Sequence, residues 1–269
     1  MSLNGAVQPV VDAVDRLWRI PRNFVQVLGE MLVLLGKSAA WMVRPPFRLA
    51  LVIQAMEFIG VGSLSIILLV SLFVGGVFGL QSVNAFRMFQ ADGYVGTAVS
   101  LTLTREISPV LTALMVTGRA GSAMATELGS MRITEQIDAL SALAVNPIQY
   151  LVVPRLIAST IMMPLLTMVF NVVGMLGAYI FAVIIKHVDP GIFIYNIRWY
   201  TDIEDLASGL IKSAVFGLAL ALIGCHQGYN ASGGAKGVGL ATMRAVVISS
   251  VSVLVIDFIL TDILLTLGL

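Results

Sequence analysis

The chain has 269 residues, 58% of them apolar and only 12% Asp, Glu, Lys or Arg, with a net charge of +1. An average soluble protein carries about 25% charged residues, and the mean hydropathy here is +0.96. These figures argue against a soluble enzyme, a disordered chain and a nucleic-acid binder, and leave an all-α integral membrane protein with several spans. A single cysteine, Cys225, permits no intrachain disulfide. His187 and His226 have no Cys or His at metal-binding spacing, so no metal site is expected. No GxxxxGK[ST] loop is present; the nearest text, Gly233-Gly234-Ala235-Lys236-Gly237, lacks both the spacing and the hydroxyl. Any use of ATP must therefore come from another chain, and this one is expected to bind no cofactor.

Residues 1–15 carry Asp12 and Asp15 and no basic stretch, unlike a signal peptide. Arg16, Arg19, Arg22, Lys37, Arg44 and Arg48 surround an apolar run from Phe24 to Gly36, which Gln26 and Glu30 interrupt. That run is 13 residues and rises about 20 Å as helix, short of a hydrocarbon core of about 30 Å. Residues 10–44 are accordingly read as a helix in the membrane interface, with Trp18 and Trp41 as anchors; the alternative is a cytosolic helix packed on the rest. Pro45-Pro46 ends this N-terminal part, residues 1–48.

Residues 49–269 then hold five predicted spans, near 49–80, 95–125, 151–185, 206–226 and 241–268. The third contains Pro164 and Asn171 and, at about 52 Å of helix, has to tilt, kink or protrude. Five spans put the termini on opposite sides. With the N-terminus inside, inner segments hold Arg16, Arg19, Arg22, Lys37, Arg44, Arg48, Arg119, Arg132, Arg155, Lys236 and Arg244, and outer loops only Arg87, Lys186 and Arg198. Eleven against three predicts N-in, C-out.

Residues 126–146, TELGSMRITEQIDALSALAVN, are too polar for lipid, and Pro147 follows them. Ile133, Ile137, Leu140 and Ala144 form one helical stripe. A charged inner-side helix on a protein without an ATP site suits docking to a separate motor; a solvated connector is the bland reading. Arg105 and Glu106 in the second span, Lys212 in the fourth and Asp257 in the fifth are ionisable residues inside apolar runs. An uncompensated charge at mid-bilayer costs roughly 2.5–3.5 kcal/mol on insertion scales, so these four, all in the outer half, are expected to meet. They form either a cluster facing a cavity or a salt-bridge network that fixes packing. Gly75/Gly79 in the first span, with Gly118/Ser122 and Gly121/Ala125 in the second, have the spacing of close helix packing.

Five blocks carry a family likeness: IGVGSL at 59–64, FVGGVFGLQ at 73–81, REISPVLTALMVTGRAGSAMATELGSMRITEQIDAL at 105–140, NPIQYLVVPRLIA at 146–158, and GGAKGVGLATMRAVV at 233–247 with DFILT at 257–261. With these the chain resembles the MlaE/YrbE permease subunits of MCE-type lipid-transporting ABC transporters over about residues 50–265. It departs from the family pattern at Asn146, where Asp is usual, and at Lys236, both on inner loops. The resemblance implies a homodimer with an N-terminal interfacial helix and five spans per subunit. It also implies a non-catalytic membrane subunit in the bacterial inner membrane, with a periplasmic C-terminus. The partners it implies are a cytoplasmic ABC ATPase that holds ATP and Mg, a periplasmic MCE-domain substrate-binding protein and a STAS-domain protein, with phospholipid as cargo.

On that resemblance the coupling helix, about 126–146, presents Glu127, Leu128, Met131, Arg132, Glu135, Gln136 and Asp138 to the ATPase. Two copies of Phe73, Phe78, Phe86, Phe89, Ile107, Val110 and Leu111 would line an outward-facing lipid pocket, although aromatics at this depth are also ordinary belt residues. The alternative function is an ion-coupled secondary transporter using Arg105, Glu106, Lys212 and Asp257 as a relay.

Overall fold

In lipid no solvent satisfies a backbone N–H or C=O, so long apolar runs close their hydrogen bonds within helices. The computed structural model describes residues 25–45 and 48–267, and among these there is no strand. The helices are α1 (Val25–Met42), α2 (Leu49–Arg87), α3 (Asp92–Ile133), α4 (Gln136–Ala142), α5 (Ile148–Ile185), α6 (Pro190–Tyr200), α7 (Ile203–Tyr229) and α8 (Gly234–Leu267). Six are long and apolar enough to cross a membrane, namely the five expected spans (α2, α3, α5, α7 and α8) and α1, the shortest and least apolar at 18 residues and hydropathy 1.2.

The contacts of α1 say where it runs. Glu30, near its middle, meets His226 at the end of α7, with Oε2 and Nε2 3.2 Å apart. The Arg44 carbonyl, just beyond α1, accepts a 3.0 Å hydrogen bond from Gln149 at the start of α5. Both contacts lie at the same end of the bundle, where Arg44, Arg48, Arg132 and Arg155 also gather; we term it the basic end. Met31, Leu34 and Ser38 are the buried residues of α1, spaced so that one stripe faces inward. Trp18, Arg16, Arg19, Arg22 and the rest of residues 10–24 lie outside the described residues.

Small residues set the helix approaches, because lipid offers no hydrophobic drive between spans and close backbone packing takes its place. A Cβ on Gly75 would collide with the Gly174 carbonyl of α5, and one on Gly177 with the Leu72 carbonyl of α2. Gly209 brings α7 against the Thr104 carbonyl of α3; further along, a Cβ on Gly228 would stand 2.7 Å from the Ala125 carbonyl. The Gly121/Ala125 spacing is therefore a packing face, as the spacing predicts. Gly118 is not: a Cβ there would meet nothing within 4 Å.

Two long helices contain π turns, at Leu103–Ile107 and Thr117–Gly121 in α3 and at both ends of α5. Pro164 sits inside α5 without ending it. Arg119 falls in the second π turn of α3, inside the span and not in an inner loop. Its guanidinium lies across Gly62, donates from Nε to Ser63 Oγ at 2.9 Å and stacks 4.9 Å above the Phe58 ring. At the far end, opposite the basic one, residues expected to form a plain loop fold into α6. Asp189 caps it through Ile192 N–H at 2.8 Å, Pro190 opens it, and Phe193 is fully buried.

Candidate functional site

The intramembrane cluster is built by two local features. Gly209 lets α7 touch the α3 backbone at Thr104, which leaves Lys212, one helical turn on, against the next residues of α3. Pro109 has no N–H to give the Arg105 carbonyl four residues back, and Lys212 Nζ donates to that carbonyl at 3.2 Å. The same ammonium donates to Glu106 Oε2 at 2.8 Å and to Thr261 Oγ1 at 2.7 Å. Its three N–H groups are thus all used, and Lys212 is 1% exposed. Asp257 stands 3.5 Å from Nζ, and its Oδ1 is buried without a hydrogen bond.

The expected meeting of four charges is thereby corrected in one member. Glu106, Lys212 and Asp257 come together, but Arg105 turns away to pair through Nε with Asp205 Oδ1. Sequence reading missed Asp205. It forms a capping box with Asp202, whose N–H donates to Asp205 Oδ2 at 2.8 Å, and a first-turn acid reads from sequence as a helix-dipole residue. The D-x-x-D spacing at 202–205 was the available signal. The completed set, two cations and three carboxylates, ties α3, α7 and α8 together. The Glu106 and Asp257 side chains remain 39% and 20% exposed, so the cluster is open on its acidic side.

Next to Glu106, Ile107 shares an open apolar groove of about 330 Å³ with Phe73, Val74, Val77, Phe78 and Gln81. Three of the seven expected pocket residues therefore adjoin one another. The other four are not in its lining. Phe86, Val110 and Leu111 pack against the core, and Phe89, 80% exposed, lies in the turn after α2.

The polar segment is not one helix over 126–146. α3 continues to Ile133, and the chain breaks at Glu135 (φ 59°) before the short α4. Thr134 Oγ1 donates back to the Ser130 carbonyl at 2.9 Å, and Gln136 Nε2 donates to Thr134 Oγ1 at 3.0 Å; such local bonds compete with helix continuation. Arg132 and Asp138 close over the break at 2.7 Å. The stripe holds for Ile137, buried, and Leu140, half-buried against the core, but Ala144 leaves the helix at φ 58°.

Of the expected docking residues, Leu128 is fully buried, and Met131 is half-buried, packed on the core and lining a cavity between α2, α3 and α5. Glu127 pairs with Arg155 at 2.8 Å. Glu135, Gln136 and Asp138 are exposed, beside half-buried Arg132. The left-handed conformation costs an L-residue about 1–2 kcal/mol, so Glu135→Gly is expected to raise the thermal midpoint of the detergent-purified protein. Glu135→Val, β-branched at the same φ, is expected to lower it.

A bundle of apolar helices joined by small-residue contacts, with a buried ion cluster and an exposed charged turn at one end, defines a polytopic membrane permease. Residues 52–263 match the family model described as Permease MlaE, and the chain belongs to that family. It is 38% identical over 261 residues to the "Intermembrane phospholipid transport system permease protein MlaE" of Haemophilus influenzae, covering 91% of this chain and 99% of that one. It is 40% identical over 240 residues to a "Probable ABC transporter permease protein" of Rickettsia felis, covering 89% and 93%. It is 39% identical over 210 residues to "Protein TRIGALACTOSYLDIACYLGLYCEROL 1, chloroplastic" of Arabidopsis thaliana, covering 78% of this chain and 60% of that one.

Proposed function

We propose that the chain is the membrane subunit of an ATP-driven transporter that moves glycerophospholipid between the inner and outer membranes of a bacterium. It works as a homodimer with a cytoplasmic ABC ATPase carrying ATP and Mg, a periplasmic MCE-domain protein and a STAS-domain protein. The basic end faces the cytoplasm and the C-terminus the periplasm, following the Lys/Arg asymmetry. α1 lies along the inner interface, since its middle and its end both touch inner helix ends.

One observation carries the reading: α3 runs without a break from the exposed turn at Glu135 to the ion cluster at Glu106. Arg132 and Glu106 are 26 residues apart on it, about 39 Å. A push on the turn therefore reaches the cluster and the adjoining Phe73–Phe78 groove through one helix. The ion-coupled reading gains nothing from the geometry, since the Lys212 protons are already committed to fixed partners.

Reconstitution with the partner ATPase in proteoliposomes is the test. ATP-dependent transfer of a fluorescent phospholipid is expected. Arg132→Ala and Glu135→Ala are expected to cut ATPase co-purification and transfer about tenfold, the loss of a charged hydrogen bond or two. Transfer driven by an ion gradient with no ATPase present would reject the proposal.

A further inference from the structure

The basic end holds a cavity that the transport reading leaves unused. Its volume is about 430 Å³, and it lies between α2, α3 and α5, within the range of small-molecule sites. Its lining changes with depth. Tyr150, Gln54, Glu127 and Arg155 are 2, 5, 6 and 7 residues from the basic ends of their helices, roughly 3–11 Å in. Phe58, Ile59 and Met124 are 9 or 10 residues in, about 14–15 Å. The mouth mixes these polar side chains with Leu51, Met131 and Leu151, and the floor is apolar.

One guanidinium lines this cavity, and two more stack over its lining rings. Arg155 lines it, bonded through one nitrogen to Glu127 at 2.8 Å and through the other to the Leu151 carbonyl at 2.6 Å. Arg48 stacks 4.7 Å above the lining Tyr150, and Arg119 4.9 Å above the lining Phe58. Among the described residues neither Arg48 nor Arg119 has a carboxylate partner. A smaller hollow beside it, sharing Pro154, is lined by Trp41, Arg44 and Arg48, and Trp, Tyr and Arg mark the depth of lipid headgroups. The lining itself holds one cation, Arg155, and one carboxylate, Glu127, which pair with each other and leave Arg48 and Arg119 as the uncompensated cations beside it.

We infer that this cavity is a second lipid site, taking the phosphate of an inner-leaflet glycerophospholipid at Arg48 and Arg155 and part of one acyl chain against Phe58, Ile59 and Met124. A guanidinium fork suits a phosphate diester, the arginines stand at headgroup depth, and the apolar floor requires a tail. The site lies at the opposite end of the bundle from the Phe73–Phe78 groove. The choice of glycerophospholipid among anionic amphiphiles rests on the proposed function. Binding is read without ATP or transfer, so failure of either claim is visible without the other.

The test uses the full chain in nanodiscs containing phosphatidylglycerol with a diazirine in its acyl chain, followed by peptide mapping. Labelling is expected on the peptides bearing Ile59 and Met124. It should fall about tenfold in Arg48→Gln/Arg155→Gln, the loss of charge-assisted hydrogen bonds. Arg48→Gln alone, which removes no side-chain hydrogen bond or ion pair among the described residues and loses only the stacking on Tyr150, should weaken labelling with at most a small fall in the thermal midpoint. Labelling spread evenly over all lipid-facing helices and indifferent to both variants would overturn the site. Complete competition by millimolar inorganic phosphate would show a free-anion site instead, and would overturn the lipid assignment as well.

Discussion

Lys212→Met is expected to abolish transfer and to cost about 3–5 kcal/mol of stability, the range for removing one partner of a buried ion pair. The methionine leaves Glu106 and Asp257 facing each other without the ammonium that now sits 2.8 Å from one and 3.5 Å from the other. It also orphans the Arg105 carbonyl, which Pro109 cannot serve. Thermal unfolding in detergent and the yield of intact protein give the first measure. The triple variant Lys212→Met/Glu106→Gln/Asp257→Asn separates packing from function. Neutralising all three removes the unpaired charges, and most of the lost stability is expected to return. If the charges serve transport, transfer stays absent in this refolded variant; if transfer returns with stability, the cluster is a packing device only.

Gly75→Leu is expected to prevent assembly of the bundle. The leucine Cβ would land on the Gly174 carbonyl, a backbone atom with no rotamer to yield, and a Cβ at Gly79 would stand 3.0 Å from Ala178 Cα on the same face. Overpacking typically costs 1–3 kcal/mol, and a clash with backbone at the contact between α2 and α5 belongs at or beyond the upper end. Loss of the monodisperse peak in size-exclusion chromatography is the measurement. Gly118→Leu, where a Cβ meets open space, is the matched control and should elute normally. Equal behaviour of the two variants would show that the small-residue face of α2 does not hold the fold together.

The spans were legible because a twenty-residue apolar run in lipid has one outcome, a helix. Charge within those runs was equally visible, as was the meeting of Glu106, Lys212 and Asp257, because an isolated charge there is too costly to leave alone. What the one-dimensional pattern could not show was partner choice. Arg105 and Glu106 are neighbours in sequence but take different partners on α7, Asp205 and, about two turns further along, Lys212. The π turn over Leu103–Ile107 shifts the helical register at that point, and nothing in the residue types announces it.

The docking segment shows the same division. Its polarity and its place between the second and third spans were evident from composition. Its shape was not, since Ile133, Ile137 and Leu140 keep helical spacing across a break that Glu135 makes with one positive φ. A stripe that survives a turn by returning to the same face looks identical to an unbroken helix. Leu128, counted among the exposed residues, is buried because α3 carries on past the expected end of the span and packs its last turns against α7.

The sequence by itself determined the solvent this protein lives in, the number of its long spans and the kinds of residue that must find partners, since transfer energies depend on composition and length alone. The tertiary structure decided which carboxylate each cation takes, where the cavities open and that α1 meets α7 near the basic end, because those depend on the angles and approaches of helices that residues far apart in the chain set jointly.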